Sequence, residues 1–132
     1  AFGSIVNQGL PFYGGCVTYR FGVDCPGGDI KITVPHYDGA LTDIFVDGVH
    51  AGEIIFPPYE LELKELSAGR HEIEVKLYTN RRNAFGTVHL YDKKCHCIGP
   101  DAWRTSGCQW SYEYVLRNVG VESAPVIYSL KK

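Results

Sequence analysis

The residues best suited to chemistry lie in one stretch, Gly99-Pro100-Asp101-Ala102-Trp103-Arg104-Thr105-Ser106-Gly107-Cys108-Gln109-Trp110-Ser111-Tyr112, which holds both tryptophans of the chain. Sugars present apolar C–H faces ringed by hydroxyls, so a site for them needs a flat aromatic platform and a few fixed polar partners. Trp103, Arg104 and Trp110 supply that combination, with Asp101 and Gln109 as further hydroxyl partners. The competing use of either tryptophan is to plug one end of a core. A second polar run, Asn80-Arg81-Arg82-Asn83, offers guanidinium forks and amides that can hold vicinal hydroxyls or a sugar carboxylate. Arg81 and Asn83 are the candidates there, Arg82 reads as solvated or ion-paired, and Asn83 has the alternative of tying its own loop to backbone. Phe56-Pro57-Pro58-Tyr59 lacks two ladder donors, which marks an edge or a corner where the chain switches sheets. Tyr59 either faces a ligand there or closes the end of the core.

Other chemistries fit less well. Cys95-His96-Cys97, with Cys108 and His89, could surround zinc tetrahedrally, because alternate residues of a strand share a face. The spacing is not a repeated C-x₂₋₄-C pair, and a disulfide from Cys108 to Cys95 or Cys97 competes, so no metal and no cofactor is expected. Five cysteines leave at least one thiol free or paired between chains. Cys16 and Cys25 bracket one strand and stand roughly 30 Å apart at ~3.3 Å per residue, beyond disulfide reach. Glycoside hydrolysis needs two carboxylates across a cleft, roughly 5 or 6.5–9.5 Å apart. The acids here fall at alternating strand positions (Glu60, Glu62, Glu72, Glu74) or in turns (Asp24, Asp29, Asp47) instead. His36 and Asp38 have no nucleophile beside them, and His50 and His71 read as solvated turn residues. No catalytic residue is expected, and the chain does not read as an enzyme.

A chain of 132 residues, 45% hydrophobic and 21% charged, is expected to form a single globular domain over residues 1–132. No apolar run approaches the ~20 residues of a membrane-spanning helix, so a membrane protein is not expected. The opening Ala1-Phe2-Gly3 and the absence of methionine point to a processed product or a piece of something longer. The formal charge of −2 hides an asymmetry: residues 1–66 carry three bases and nine acids, and residues 67–132 carry ten bases and six acids. Adjacent basic residues form nothing longer than a pair, so the basic stripe that phosphate neutralisation requires is missing and no nucleic-acid partner is expected. Unpaired cysteines suit a reduced bacterial or cytosolic setting. The compartment stays open between bacterial cytoplasmic and secreted.

The elements that must position these residues have a period of two. Val17, Tyr19, Phe21 and Val23 alternate with Cys16, Thr18, Arg20 and Gly22, and Ile30, Ile32 and Val34 repeat the signal. Thr42 to Asp47 ends at Asp47-Gly48, a tight-hairpin dipeptide, and a strand from about Val49 to Phe56 follows. Leu61 and Leu63 alternate with Glu60 and Glu62, and Ile73, Val75 and Leu77 with Glu72, Glu74 and Lys76, with Ala68-Gly69 turning between them. Thr87 to Tyr91, Ser111 to Leu116 and Val126 to Leu130 also read as strands, and one helical turn is expected at the end of Glu60–Leu66. Eight or nine short strands with Gly-rich turns make an all-β sandwich or barrel. Asp92 to Trp110 is the longest stretch without alternation, and long loops on a rigid sandwich are where binding sits.

Asp43-Ile44-Phe45-Val46-Asp47-Gly48-Val49-His50-Ala51-Gly52, then Tyr59 to Leu66, then Ala68-Gly69-Arg70-His71-Glu72-Ile73-Glu74-Val75, resembles the jelly-roll, galactose-binding-like accessory domain of multidomain glycoside hydrolases, family 2 and relatives. The resemblance runs over roughly residues 17–86 and ends at Asn83-Ala84-Phe85-Gly86. Asp47 stands where the family commonly has Asn, and Asp also suits the turn. The resemblance implies an all-β jelly-roll β-sandwich, galactose-binding-domain-like, that is itself non-catalytic; the family's catalytic glutamates belong to a separate barrel domain. It also implies weak carbohydrate binding, packing against the parent's catalytic domain, or both. The expected ligand-binding residues are Trp103, Arg104, Trp110, Arg81, Asn83 and Tyr59. The alternatives are a purely structural interaction domain without ligand and a small zinc-stabilised β-module.

Overall fold

A computed structural model describes residues 1–91 and 99–130. Its strands, in chain order, are β1 (Cys16–Cys25), β2 (Gly28–Thr33), β3 (Tyr37–Asp38), β4 (Leu41–Val46), β5 (Val49–Ile54), β6 (Glu60–Leu66), β7 (Gly69–Tyr78), β8 (Gly120–Val121) and β9 (Val126–Ser129). All strand pairs are antiparallel. One sheet has the order β1-β7-β4-β5, a second β6-β2-β9, and a short third pairs β3 with β8.

Alternation becomes burial. In β1, Val17, Tyr19, Phe21, Val23 and Cys25 turn inward while Cys16, Thr18, Arg20 and Asp24 are exposed. β7 runs beside it in full register, Cys16 opposite Tyr78 and Cys25 opposite Gly69, and buries His71, Ile73, Val75 and Leu77. Ile44 and Ile54 of the four-stranded sheet meet Ile30 and Ile32 of the three-stranded one in a single core. The architecture is an all-β sandwich. Each such side chain contributes about 1.5–3 kcal/mol on leaving water, which makes this core the main term holding the two sheets together.

The turns follow the sequence closely. Asp47 and Gly48 take φ of 50° and 79°, the left-handed pair that a two-residue hairpin demands. Asp47 has a second task there. Its Oδ1 accepts the Glu72 N–H at 2.9 Å, and its Oδ2 accepts from His71 Nδ1 at 2.6 Å. The other ring nitrogen of His71 faces Ser67 O at 2.9 Å, so both nitrogens face acceptors, an arrangement that favours the protonated ring and raises its pKa. His71 is 7% exposed, which corrects the expectation of a solvated turn residue. Pro57-Pro58 lies between β5 and β6, the edge strands of two different sheets, and is therefore a sheet-switching corner.

Three expectations fail locally. Glu60–Leu66 has no helical turn; Leu61 and Leu63 stay opposite Ile32 and Ile30, because the core rewards a strand to its end. Thr87–Tyr91 and Ser111–Leu116 form no ladder beyond a bridge between Leu90 and Trp110. Single bonds join the two segments instead, Tyr91 N–H to Gln109 O at 2.7 Å, Ser111 N–H to His89 O at 2.8 Å and Val115 N–H to Val88 O at 2.7 Å. The helical turns fall at Ile5–Gln8 (3₁₀), α1 (Arg82–Phe85) and Pro100–Trp103 (3₁₀).

The N-terminal segment runs along the chain around β8. Gly3 N–H donates to Val121 O and Ile5 N–H to Val119 O, both at 2.8 Å. Gly120 permits this approach, since a Cβ there would stand 2.6 Å from Gly3 O at a φ of +141°. Among the described residues, no helix is long and apolar enough to cross a membrane.

Candidate functional site

α1 begins where β7 leaves the sheet, and it is secured from outside. The Asn83 side chain, 4% exposed, donates its amide to Arg117 O at 2.7 Å and accepts the Arg117 N–H on Oδ1 at 3.0 Å. This two-bond match holds the segment before β8 against the one after β7. Asn80 Oδ1 accepts the Arg82 N–H at 3.1 Å and fixes the entry to the turn.

From α1 the chain runs through Gly86, Thr87 and Val88 to His89, whose Nδ1–H donates to Ser111 O at 2.9 Å and so sets the ring plane. Trp110 stacks on that imidazole with centroids 5.6 Å apart and 27° between planes, and Tyr114 lies against it at 4.9 Å and 34°. Tyr112 meets Trp110 edge-on at 4.3 Å, and Phe12 meets Tyr114 edge-on at 5.0 Å. Phe12, Tyr114, His89, Trp110 and Tyr112 thus form a continuous row of rings, with the Phe12–Tyr114 and Trp110–Tyr112 pairs in the edge-to-face arrangement that aromatic quadrupoles favour.

Two hollows share a wall made by His89, Ala102, Arg104 and Trp110. The larger, about 310 Å³, extends over Ser106, Cys108 and Gln109. The smaller, about 110 Å³, takes in Thr87, Trp103 and Thr105. Thr87 is 6% exposed, and its hydroxyl is buried without a hydrogen-bond partner. A buried hydroxyl left unpaired costs about 1–3 kcal/mol. Trp103 ends its 3₁₀ turn 58% exposed. Arg104 supplies the cationic side chain of the shared wall.

The tertiary structure therefore brings Trp103, Arg104 and Trp110 together and leaves the other three candidates elsewhere. Arg81 is exposed at the start of α1, and Asn83 is buried behind it. Tyr59 stands at the β5–β6 corner with φ +58°, its ring edge-on to Tyr37 at 5.4 Å and its carbonyl accepting the Val34 N–H at 3.0 Å. A separate, more open hollow of about 630 Å³ is lined by Asp38, Asn80, Arg82, Leu116, Arg117 and Asn118. Sequence reasoning missed Thr87, Tyr114 and Phe12, gave Tyr112 no role within the stretch it singled out, and considered His89 only for zinc. The alternation of Trp110, Tyr112 and Tyr114 was the available signal. Of the cysteines, Cys95 and Cys97 lie outside the described residues, Cys16 and Cys108 are exposed and unbridged, and burial, then Asp24 and Asp47, pushes the Cys25 thiol up.

No protein-family model matches the sequence, and no curated protein is significantly similar to it. Solved structures are similar in fold. A GH2 β-galacturonidase from Eisenbergiella tayi, solved with glycerol, superposes with a TM-score of 0.61 at 19% identity, over 98% of this chain and 19% of that one. The same kind of enzyme with galacturonate bound gives 0.61 at 19%, over 98% and 20%. A rhamnosidase from Novosphingobium sp. PP1Y gives 0.59 at 18%, over 88% and 11%. The chain spans a fifth or less of the length of these glycoside hydrolases. It has the fold of a small all-β part of each.

Proposed function

We propose that this chain is a jelly-roll, galactose-binding-like accessory domain of a bacterial glycoside hydrolase, non-catalytic itself, that binds carbohydrate weakly through the aromatic hollows. One observation carries the reading: Trp103, Arg104 and Trp110, separated from the regular strands in sequence, converge on two contiguous hollows. Stacking of a sugar face on tryptophan with hydroxyls taken by Arg104 and Gln109 is the chemistry this arrangement suits. The neighbours are glycoside hydrolases far longer than this chain, and that supports catalysis on a different domain. A tethered binder then raises the effective substrate concentration at that domain.

A second reading is favoured by the extent of the exposed rings. Tyr112 and Tyr114 continue the row of rings beyond the hollows, and Phe85 and Tyr91 are exposed as well, as residues buried against a catalytic domain would be. A glycan panel separates the two. Carbohydrate binding is expected for the intact chain, with Trp110→Ala and Trp103→Ala each weakening it by about tenfold or more, equivalent to ~1.4 kcal/mol, while circular dichroism melts stay close to the parent. A folded chain that binds nothing on the panel sinks the sugar reading and leaves the docking one.

A further inference from the structure

We propose that Asp43, His50 and Glu53 form a binding site for a divalent first-row transition-metal ion on the outer face of the four-stranded sheet, independent of the aromatic hollows. One donor atom from each of the three lies within 4.8 Å of the other two, and His50 Nε2 is 3.8 Å from Asp43 Oδ1. Donors bound to a common ion at ~2.0–2.2 Å sit about 3–3.5 Å apart, so small side-chain rotations close the set.

The backbone arranges this convergence. His50 and Glu53 are three apart on β5, a spacing that puts side chains on opposite faces of a regular strand. The register of β4 against β5 shifts between Ile44 and Phe45: Ile44 opposes Gly52 and Phe45 opposes His50, leaving Ala51 as the extra residue of a bulge. Phe45 is on the outer face with Asp43, so the bulge carries His50 to the face that Glu53 already shares. Re-aiming a side chain is a recurrent use of bulges. The Phe45 ring then meets the imidazole edge-on at 5.2 Å and restricts it.

Charge adds a second reason. Asp43 and Glu53 are directly opposed in the register, and like charges so placed repel. On its other side Asp43 is opposed by Lys76 of β7, whose ammonium leans over the Tyr78 ring at 5.1 Å. A cation between the two carboxylates relieves the repulsion that Lys76 meets only from one side. One imidazole nitrogen and two carboxylate oxygens suit Mn²⁺, Co²⁺ or Zn²⁺ rather than Ca²⁺, which prefers oxygen alone. Water fills the remaining positions, and the exposure of His50 and Glu53 makes the ion exchangeable.

Mn²⁺ is the probe of choice, because thiolates are poor ligands for it and the five cysteines stay silent. Titration of the full chain with Mn²⁺, followed by amide NMR, is expected to give saturable broadening centred on Asp43, His50 and Glu53. His50→Ala and Glu53→Gln should each weaken binding by about tenfold or more, with unchanged amide spectra elsewhere showing an intact fold. Absence of saturation at millimolar Mn²⁺, broadening centred elsewhere, or undiminished binding by the Asp43→Asn/Glu53→Gln double variant overturns the proposal.

Discussion

A single side chain, His71, couples two turns of the sandwich to pH. The Asp47 carboxylate hydrogen-bonded to it, then the Ser67 carbonyl, hold its pKa above the ordinary 6.5; the same bond to His71, then the Glu72 N–H, holds Asp47 below the ordinary 3.8. A raised imidazole pKa stabilises the fold fully below 6.5 and loses that contribution as pH rises through the raised value. A lowered carboxylate pKa stabilises above 3.8 and loses its share as pH falls through the depressed value. Urea midpoints of the intact chain are therefore expected to be highest between those limits and to decline on the alkaline side. Asp47→Asn keeps a turn former at the hairpin while removing the charge, so its midpoint should vary less over the same range. Parallel pH profiles for parent and variant would refute the coupling. None of this was visible in the local sequence, where His71 follows a Gly-containing turn and Asp47 has a sufficient explanation in the hairpin alone.

At the scale of elements, the loops bearing the aromatic hollows have few ladder bonds and depend on side-chain anchors. Asn83 is the main one, bridging α1 to Arg117 across 34 residues. Asn83→Ala removes both hydrogen bonds to the Arg117 backbone, at a cost of about 1–3 kcal/mol. The expected signature is faster hydrogen exchange at Val115 to Val119 with little change in β1 and β7. Uniform acceleration would mean that the anchor belongs to the global fold instead. The sequence run Asn80-Arg81-Arg82-Asn83 left ligand contact and loop anchoring both open for Asn83, because an amide is equally suited to either. Only the position of Arg117, set by the chain's return toward β8, decides between them.

For the molecule as a whole, packing outweighs charge. The acidic first half and the more basic second half meet within one chain, since β1 lies beside β7: Arg20 pairs with Glu74 at 3.1 Å and Arg70 with Asp24 at 3.3 Å. Exposed pairs of this kind are worth about 0–1 kcal/mol. Ile44 is fully buried between the sheets, and Ile44→Ala should cost about 2–5 kcal/mol in a urea titration. Molar salt, by contrast, should move the parent's midpoint only slightly. A salt effect as large as the Ile44→Ala effect would reverse that ranking.

The sequence by itself determined the all-β class, the long core strands, the Asp47-Gly48 hairpin and the proline corner. Each rests on a short-range rule: alternation of Val17 to Val23 or Ile73 to Leu77 selects a buried face, and Asp-Gly or Pro-Pro restricts the local backbone. The tertiary structure alone decided that Trp103, Arg104 and Trp110 line one hollow with His89 and Thr87 while Asn83 and Tyr59 lie elsewhere. It also decided that a bulge turns His50 toward Glu53. Those outcomes depend on contacts between segments far apart in the chain or on a one-residue change of register, and neither leaves a periodic trace among the neighbouring residues.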